Sequence, residues 1–200
     1  MTSSIFTGLS TFPITPLHDD KVDEEAFASL ITRLVVANVD SITVLGSTGS
    51  YAYLTPSECA RIAELAVEHA GSTPVFVGVG DLRTSYVLAY VEAAERAGAA
   101  GLLLAPMSYK ALIADDVFEL YCTVTEHTGL PIIVYDNPNT THLYVHDRSL
   151  HPRRGTAGDR IDQDPRRSYR PQQGARTCED APCGGTQTCH NLSLIHISEP

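Results

Sequence analysis

Four short apolar runs recur along this chain at a nearly constant interval. They lie in SITVLG, PVFVGVG, GLLLAP and PIIVYDNP, with starts near Ile42, Val75, Leu102 and Ile132, so successive starts are 33, 27 and 30 residues apart. Each run is rich in Val, Ile and Leu, as in strands buried on both faces of a parallel sheet. A further strand-like run, TGLSTFPIT, precedes them. A (β/α)8 barrel of ~250 residues gives ~31 to each βα unit. The spacing therefore predicts an α/β fold: the N-terminal part of a TIM barrel, about four βα units plus a fifth strand, over residues 1–145. A doubly wound sheet is the competing architecture. Its usual G-x-G-x-x-G turn after the first strand is missing, because PLHDDKVDEE has no glycine and GVGDLR has two of the three.

The segments between the runs have helix starts and stops. In VDEEAFASLITRLVV, Asp23 is an N-cap, Glu24 and Glu25 complement the helix dipole, and Val22 and Phe27 have the spacing of a hydrophobic staple. In TPSE, Thr55 caps, Pro56 takes the first helical position and Glu58 closes a capping box. A third helix is predicted from about Thr84 to Ala97, ending at Gly98. A fourth is predicted from about Asp115 to Thr128, ending at Gly129 with Pro131 beyond.

Charge narrows the possible functions. Residues 1–145 hold 6 Lys/Arg against 17 Asp/Glu, a net −11, whereas residues 146–200 hold 8 Arg against 7 Asp/Glu, a net +1. An acidic front part without clustered cations argues against nucleic acid as a partner. The longest apolar run, around AAGLLLAPM, is too short to span a bilayer, and MTSSIFTG lacks the pattern of a signal peptide. The expectation is a soluble, cytoplasmic protein with no membrane partner. Cys59 and Cys122 fall on predicted helices as reduced, buried thiols. Cys178, Cys183 and Cys189, with His190, fit no zinc spacing, so no metal and no cofactor are expected.

At the C-terminal ends of barrel strands, where function sits, three places offer more than packing residues. In GSTGSYAYLTP, Gly46 and Gly49 permit a tight turn, and Ser47 and Thr48 supply hydroxyls and backbone N–H groups suited to a carboxylate. The same residues also make an ordinary turn. Tyr109 and Lys110 lie on the loop after the GLLLAP run, where an exposed tyrosine beside a solvated lysine is the plain alternative. Tyr135 ends the last apolar run, where its phenol can relay protons or simply cap the barrel core.

Taken together, GLSTFPITPL, GSTGSYAYLTPSE, GVG, LLLAPMSY and PIIVYDNP resemble the dihydrodipicolinate synthase / N-acetylneuraminate lyase family, in order and spacing, over roughly residues 5–145. The resemblance implies a (β/α)8 barrel that condenses or cleaves pyruvate-type 2-oxo acids through a lysine Schiff base on the sixth strand. It implies that Ser47 and Thr48 bind the pyruvyl carboxylate, that Thr48 joins a hydroxyl relay and that Tyr135 transfers the proton. Tyr109 would complete the relay, often across a subunit interface, in a homo-oligomer (dimer or tetramer). Two positions depart from the family pattern. Ser50 stands where the turn usually continues with Glu, and Thr140 stands where the synthase proper has an arginine for the second substrate's carboxylate. A threonine cannot make that bidentate contact. A related aldolase or hydro-lyase acting on another aldehyde or sugar acid is therefore an equal alternative to the lysine-pathway synthase.

The chemistry requires a lysine, and the chain has two, Lys21 and Lys110. Lys21 lies in a polar turn, and Lys110 is on the wrong loop and unprotected. The resemblance places the Schiff-base lysine about 28 residues after the tyrosine, at Gln163. Read one nucleotide later, the Gln163 and Asp164 codons give Lys or Arg, and GDRIDQDP can become GIVSIKIP, an apolar strand carrying one lysine. Residues 146–200 are thus expected to be an out-of-frame, non-homologous and largely irregular tail after a slip between Val145 and Gly158. The closing SLIHISEP reads like translated adapter sequence. The chain itself would then lack aldolase activity, and its fifth strand would leave an unpaired edge. The alternative is a genuine tail on a non-catalytic half-barrel that binds a partner or an acidic metabolite.

Overall fold

A computed structural model describes residues 5–110 and 112–135, with the strand residues 176–177 and 192–194. The first strand, β1 (Ser10–Thr11), is much shorter than its apolar run. Pro13 and Pro16 follow it, and a proline has no N–H to give to a ladder. The polar segment beyond forms a hairpin of β2 (Leu17–His18) and β3 (Lys21–Val22). Its turn places Asp19 and Asp20 at φ +49 and +60, a left-handed pair that Asp tolerates better than most residues. The sequence had suggested only a turn here.

The repeat then runs as expected. Helix α1 (Glu24–Val36) leads to β4 (Ser41–Val44), α2 (Pro56–Ala70) to β5 (Val75–Gly78), α3 (Thr84–Ala97) to β6 (Gly101–Leu104), and α4 (Ala114–His127) to β7 (Ile132–Val134). Asp23 accepts from the Ala26 N–H at 2.9 Å, which confirms it as the cap of α1. Gly98 closes α3 at φ +86, a backbone state that a side chain would oppose. Helix α4 stops one residue before its expected end. Thr128 is extended there, and its hydroxyl is bound to the Glu95 carboxylate of α3.

Strands β1, β4, β5, β6 and β7 pair in that order, all parallel. The unpaired edge expected at the fifth strand is not found. Strand β7 pairs in parallel with β9 (Leu192–Leu194), and β8 (Arg176–Thr177) pairs antiparallel with β9. The physical reason is general: the N–H and C=O groups of an open strand edge take an available extended segment as partner. These five residues are the only part of the expected irregular tail that is described. Thr140, Gln163 and the tail cysteines lie outside the described residues.

Helix α1 packs on α2, and α2 on α3. Between these helices and the sheet lies the larger core, including Phe27, Ile31, Ile42, Val44, Ile62, Val77, Leu102 and Ile132, all almost fully buried. Cys59 joins this core, whereas Cys122 is only half-buried, because its place on α4 turns partly away from the sheet. Outside, Arg61 ties α1 to α2 through Glu24, with Nη2 to Oε2 at 2.8 Å, and reaches Glu64 within its own helix at 3.3 Å. Among the described residues, no helix is long and apolar enough to cross a membrane.

The capping box of α2 is complete. The Thr55 hydroxyl accepts from the Glu58 N–H at 3.3 Å, and Glu58 accepts from the Thr55 N–H at 2.8 Å. The backbone hydrogen bond from Thr55, and then its hydroxyl, hold the Glu58 carboxyl below its ordinary value of 4.5. A folded pKa below the unfolded one adds stability that is present above the unfolded value and lost as pH falls through the folded value. Thr55→Ala is expected to cost about 1 kcal/mol near neutral pH. Glu58→Gln is expected to flatten the acid side of the stability profile. Urea midpoints measured on both sides of the carboxylate range check both.

Candidate functional site

Strand alternation sorts the residues of β5, β6 and β7 into two faces. Val75, Val77, Leu102, Leu104, Ile132 and Val134 face the helices. Phe76, Leu103, Ala105, Ile133 and Tyr135 form a second, inner cluster, against which Phe6 and Phe12 pack. Phe6 stacks on Phe76 with ring centroids 5.5 Å apart. On the inner side of β1 and β4, the Ser10 and Thr43 hydroxyls are hydrogen-bonded at 3.0 Å.

Leu45 breaks the alternation. Following Thr43, it should point inward, yet its φ is +58 and its side chain is buried in the helix-side core. A leucine in the left-handed region is strained by roughly 1–2 kcal/mol, and such strain is concentrated at functional sites. The reversal leaves the inner end of β4 to Gly46. A Cβ there would meet the Phe12 ring at 3.1 Å, and one on Gly78 of the neighbouring strand would lie 2.0 Å from the Leu45 carbonyl oxygen. The close approach at Gly78 leaves no room for a side chain, and the one at Gly46 is tight against the Phe12 ring.

The turn places Gly46 and Gly49 in the interior and Ser47 and Thr48 at the surface. The Ser50 N–H closes it on the Ser47 carbonyl at 3.1 Å. Ser50 sits at φ +57. Among the described residues, the N–H groups of Thr48 and Gly49 donate to no acceptor. Tyr135 is 4% exposed, and its N–H is bound to the Leu104 carbonyl at 3.1 Å. Its phenol reaches across to the Ser47 hydroxyl at 3.0 Å, joining residues 88 apart in sequence.

The structure brings the Ser47 hydroxyl, and not that of Thr48, to the Tyr135 phenol. The residue directly after Gly46 lies over the inner face, and the next one is carried outward by the turn. Thr48 makes no side-chain hydrogen bond among the described residues. Tyr109 is not brought into this group either. It is 94% exposed, in a bend where the Lys110 N–H binds the Ser108 hydroxyl at 3.1 Å. Lys110 is exposed beside it.

Sequence reasoning missed Tyr51. It opens a short 3-10 turn (Tyr51–Tyr53) after the glycine turn and lines one small cavity with Ser47, Gly78, Gly80, Leu103, Ala105 and Tyr135. Its hydroxyl donates to the Met107 Sδ at 2.9 Å. Burial first, then the charges of Tyr135 and Asp81, push its phenol up to about 12. The available signal was a tyrosine just behind a glycine-bracketed turn, with Gly78 and Gly80 across from it. That facing becomes visible only when β4 and β5 are aligned. Asp81 holds the loop after β5 by accepting from the Arg83 N–H and the Tyr90 hydroxyl, each at 3.2 Å. Among the described residues, no cluster of His, Cys, Asp and Glu could hold a metal ion.

A hydroxyl and a phenol meeting beside a turn whose Thr48 and Gly49 N–H groups have no acceptor among the described residues can hold a carboxylate and pass a proton beside it. Comparison with known proteins points to one family. The dihydrodipicolinate synthetase family matches residues 5–147. The 4-hydroxy-tetrahydrodipicolinate synthase of Phenylobacterium zucineum is 32% identical over 146 residues, 72% of this chain and 50% of that protein. The crystal structure of dihydrodipicolinate synthase from Agrobacterium tumefaciens is similar with a TM-score of 0.70 and 44% identity, over 73% of this chain and 50% of that one. A prophage protein of the dihydrodipicolinic acid synthase family from E. coli K12, solved in complex with pyruvate, is similar with a TM-score of 0.65 and 28% identity, over 68% of this chain and 47% of that one. The chain spans about half the length of the curated relatives it matches. The fold is accordingly α/β, part of a TIM barrel. With residues 5–147 matched in order, this chain belongs to the dihydrodipicolinate synthetase family.

Proposed function

We propose that the parent gene encodes a pyruvate-dependent lyase acting through a lysine Schiff base, and that the 200-residue chain lacks that lysine. The observation that carries the reading is the hydrogen bond between Ser47 and Tyr135 at the C-terminal ends of β4 and β7. The N–H groups of Thr48 and Gly49 take the 2-oxo acid's carboxylate. The Tyr135 phenol moves a proton at the neighbouring carbon and exchanges it with the Ser47 hydroxyl. A phenol is a weak acid and a poor proton shuttle on its own, so it needs such a partner. Tyr109, being exposed, joins the relay only from a neighbouring subunit of a cytoplasmic homo-oligomer. With Thr140 in place of an arginine, the second substrate is an aldehyde or a sugar acid that is not gripped by a bidentate contact.

Lys110 is exposed, and Lys21 lies on the short β2–β3 hairpin. Neither stands in the desolvated setting that makes an amine nucleophilic. The lysine belongs at Gln163, restored by the next reading frame as GIVSIKIP. The expected result is that pyruvate and borohydride leave the mass of this chain unchanged. The product of a gene corrected by one nucleotide between the codons of Val145 and Gly158 gains a reduced pyruvyl adduct on the restored lysine. An adduct on Lys21 or Lys110, or a shifted codon that reads AGG, would sink the proposal. The pairing of β9 on β7 favours the other reading, a non-catalytic half-barrel whose own tail covers its edge. That reading requires cooperative melting of the chain as written.

A further inference from the structure

We propose that Tyr51 sets the length of the 2-oxo acid this site accepts, admitting a pyruvyl group and excluding longer acyl chains; this rests on the function proposed above. Tyr51 differs from the other tyrosine of its short turn. Tyr53 is 86% exposed, whereas Tyr51 is half-buried and turned into the cavity. Its hydroxyl is fixed on Met107 and would lie 3.3 Å from a Cβ on Gly80. The space left is about 10 Å³, enough for roughly one water molecule.

With the carboxylate at the turn beside Ser47, which lines the cavity, and the carbonyl carbon facing the Tyr135 phenol, one substituent of the 2-oxo acid remains. That substituent is the alkyl end, and it faces Gly80, Ala105 and Tyr51. Gly80 has no side chain, Ala105 has only a methyl group, and Leu45 and Leu103 belong to the packed cores. Tyr51 is therefore the group whose removal lengthens the space. Its phenol, raised to about 12 by burial, stays protonated at neutral pH. It serves as a neutral wall held by a hydrogen bond, not as an acid or base.

The test measures binding of sodium pyruvate and sodium 2-oxobutyrate to the full chain by saturation-transfer NMR, with circular dichroism to confirm folding. One extra methylene in a fitted pocket is worth about tenfold or more. The unaltered chain should prefer pyruvate by about that factor. Tyr51→Phe, which loses the hydrogen bond to Met107, should weaken the preference, and Tyr51→Ala should abolish it. Met107→Ala, which frees the phenol without touching the inner cluster, should weaken it, and carries the test if Tyr51→Ala does not fold. An unchanged preference in the folded variants overturns the proposal, as does equal binding of both acids by the unaltered chain. Binding of neither acid by the unaltered chain overturns this inference, whereas the function proposed above falls only if the corrected gene product forms no reduced pyruvyl adduct.

Discussion

Gly78→Ala is expected to destabilise the chain by about 3 kcal/mol, at the upper end of what overpacking costs. A Cβ on Gly78 would lie 2.0 Å from the Leu45 carbonyl oxygen and 2.7 Å from its carbon. Both are backbone atoms, so no rotamer change relieves the clash. Leu45 cannot move away easily. Its side chain is anchored in the helix-side core at 3% exposure, and its backbone is already in the left-handed region. Pushing that peptide also shifts Gly46 and Ser47, so the Ser47–Tyr135 bond should be lost along with stability. Gly71→Ala is the control. Gly71 ends α2 at φ +59, but a Cβ there meets nothing within 4 Å, so only backbone strain of about 1 kcal/mol is expected. Urea midpoints with unchanged slopes measure both. Equal effects at the two glycines would overturn the close-approach account of Gly78.

Tyr121→Ala should cost about 4 kcal/mol, the usual loss when a large aromatic is cut from a packed core. Tyr121, on α4, is fully buried, and its hydroxyl donates to the Leu104 carbonyl at 2.6 Å. That carbonyl also accepts the Tyr135 N–H at 3.1 Å. Tyr121→Phe should therefore cost only about 1 kcal/mol, because the carbonyl keeps one partner when the phenol is removed. The pair of variants separates the cavity from the hydrogen bond. If Phe is as damaging as Ala, the packing account fails.

Much of the fold was legible because it rests on interactions spanning a few residues. The caps at Asp23 and Thr55, the stop at Gly98 and the four apolar runs are local, and each was found where the sequence predicts it. The resemblance on GSTGSYAYLTPSE and PIIVYDNP identified the family, and it named the turn and the tyrosine that the fold brings together. The local signal failed in particular places. Nine apolar and polar residues read as one strand, but two prolines cut β1 to Ser10–Thr11. A polar segment without glycine still formed a hairpin, because two aspartates accepted positive φ. The open edge of β7 found β9, a pairing set by long-range availability of extended chain.

The sequence by itself determined the order of parallel βα units, the helix ends, the family and the absence of any lysine beyond Lys21 and Lys110. These follow from periodicity, capping chemistry and composition, which need no knowledge of distant contacts. Only the tertiary structure decided that Ser47 and not Thr48 meets Tyr135, that Leu45 turns outward and that Tyr51 closes the cavity. The physical reason is one of geometry. Side-chain direction alternates along a strand, so one backbone reversal at Leu45 changes which face each following residue serves. Whether a hydroxyl meets a phenol 88 residues away then depends on the alignment of four parallel strands, which no local pattern encodes.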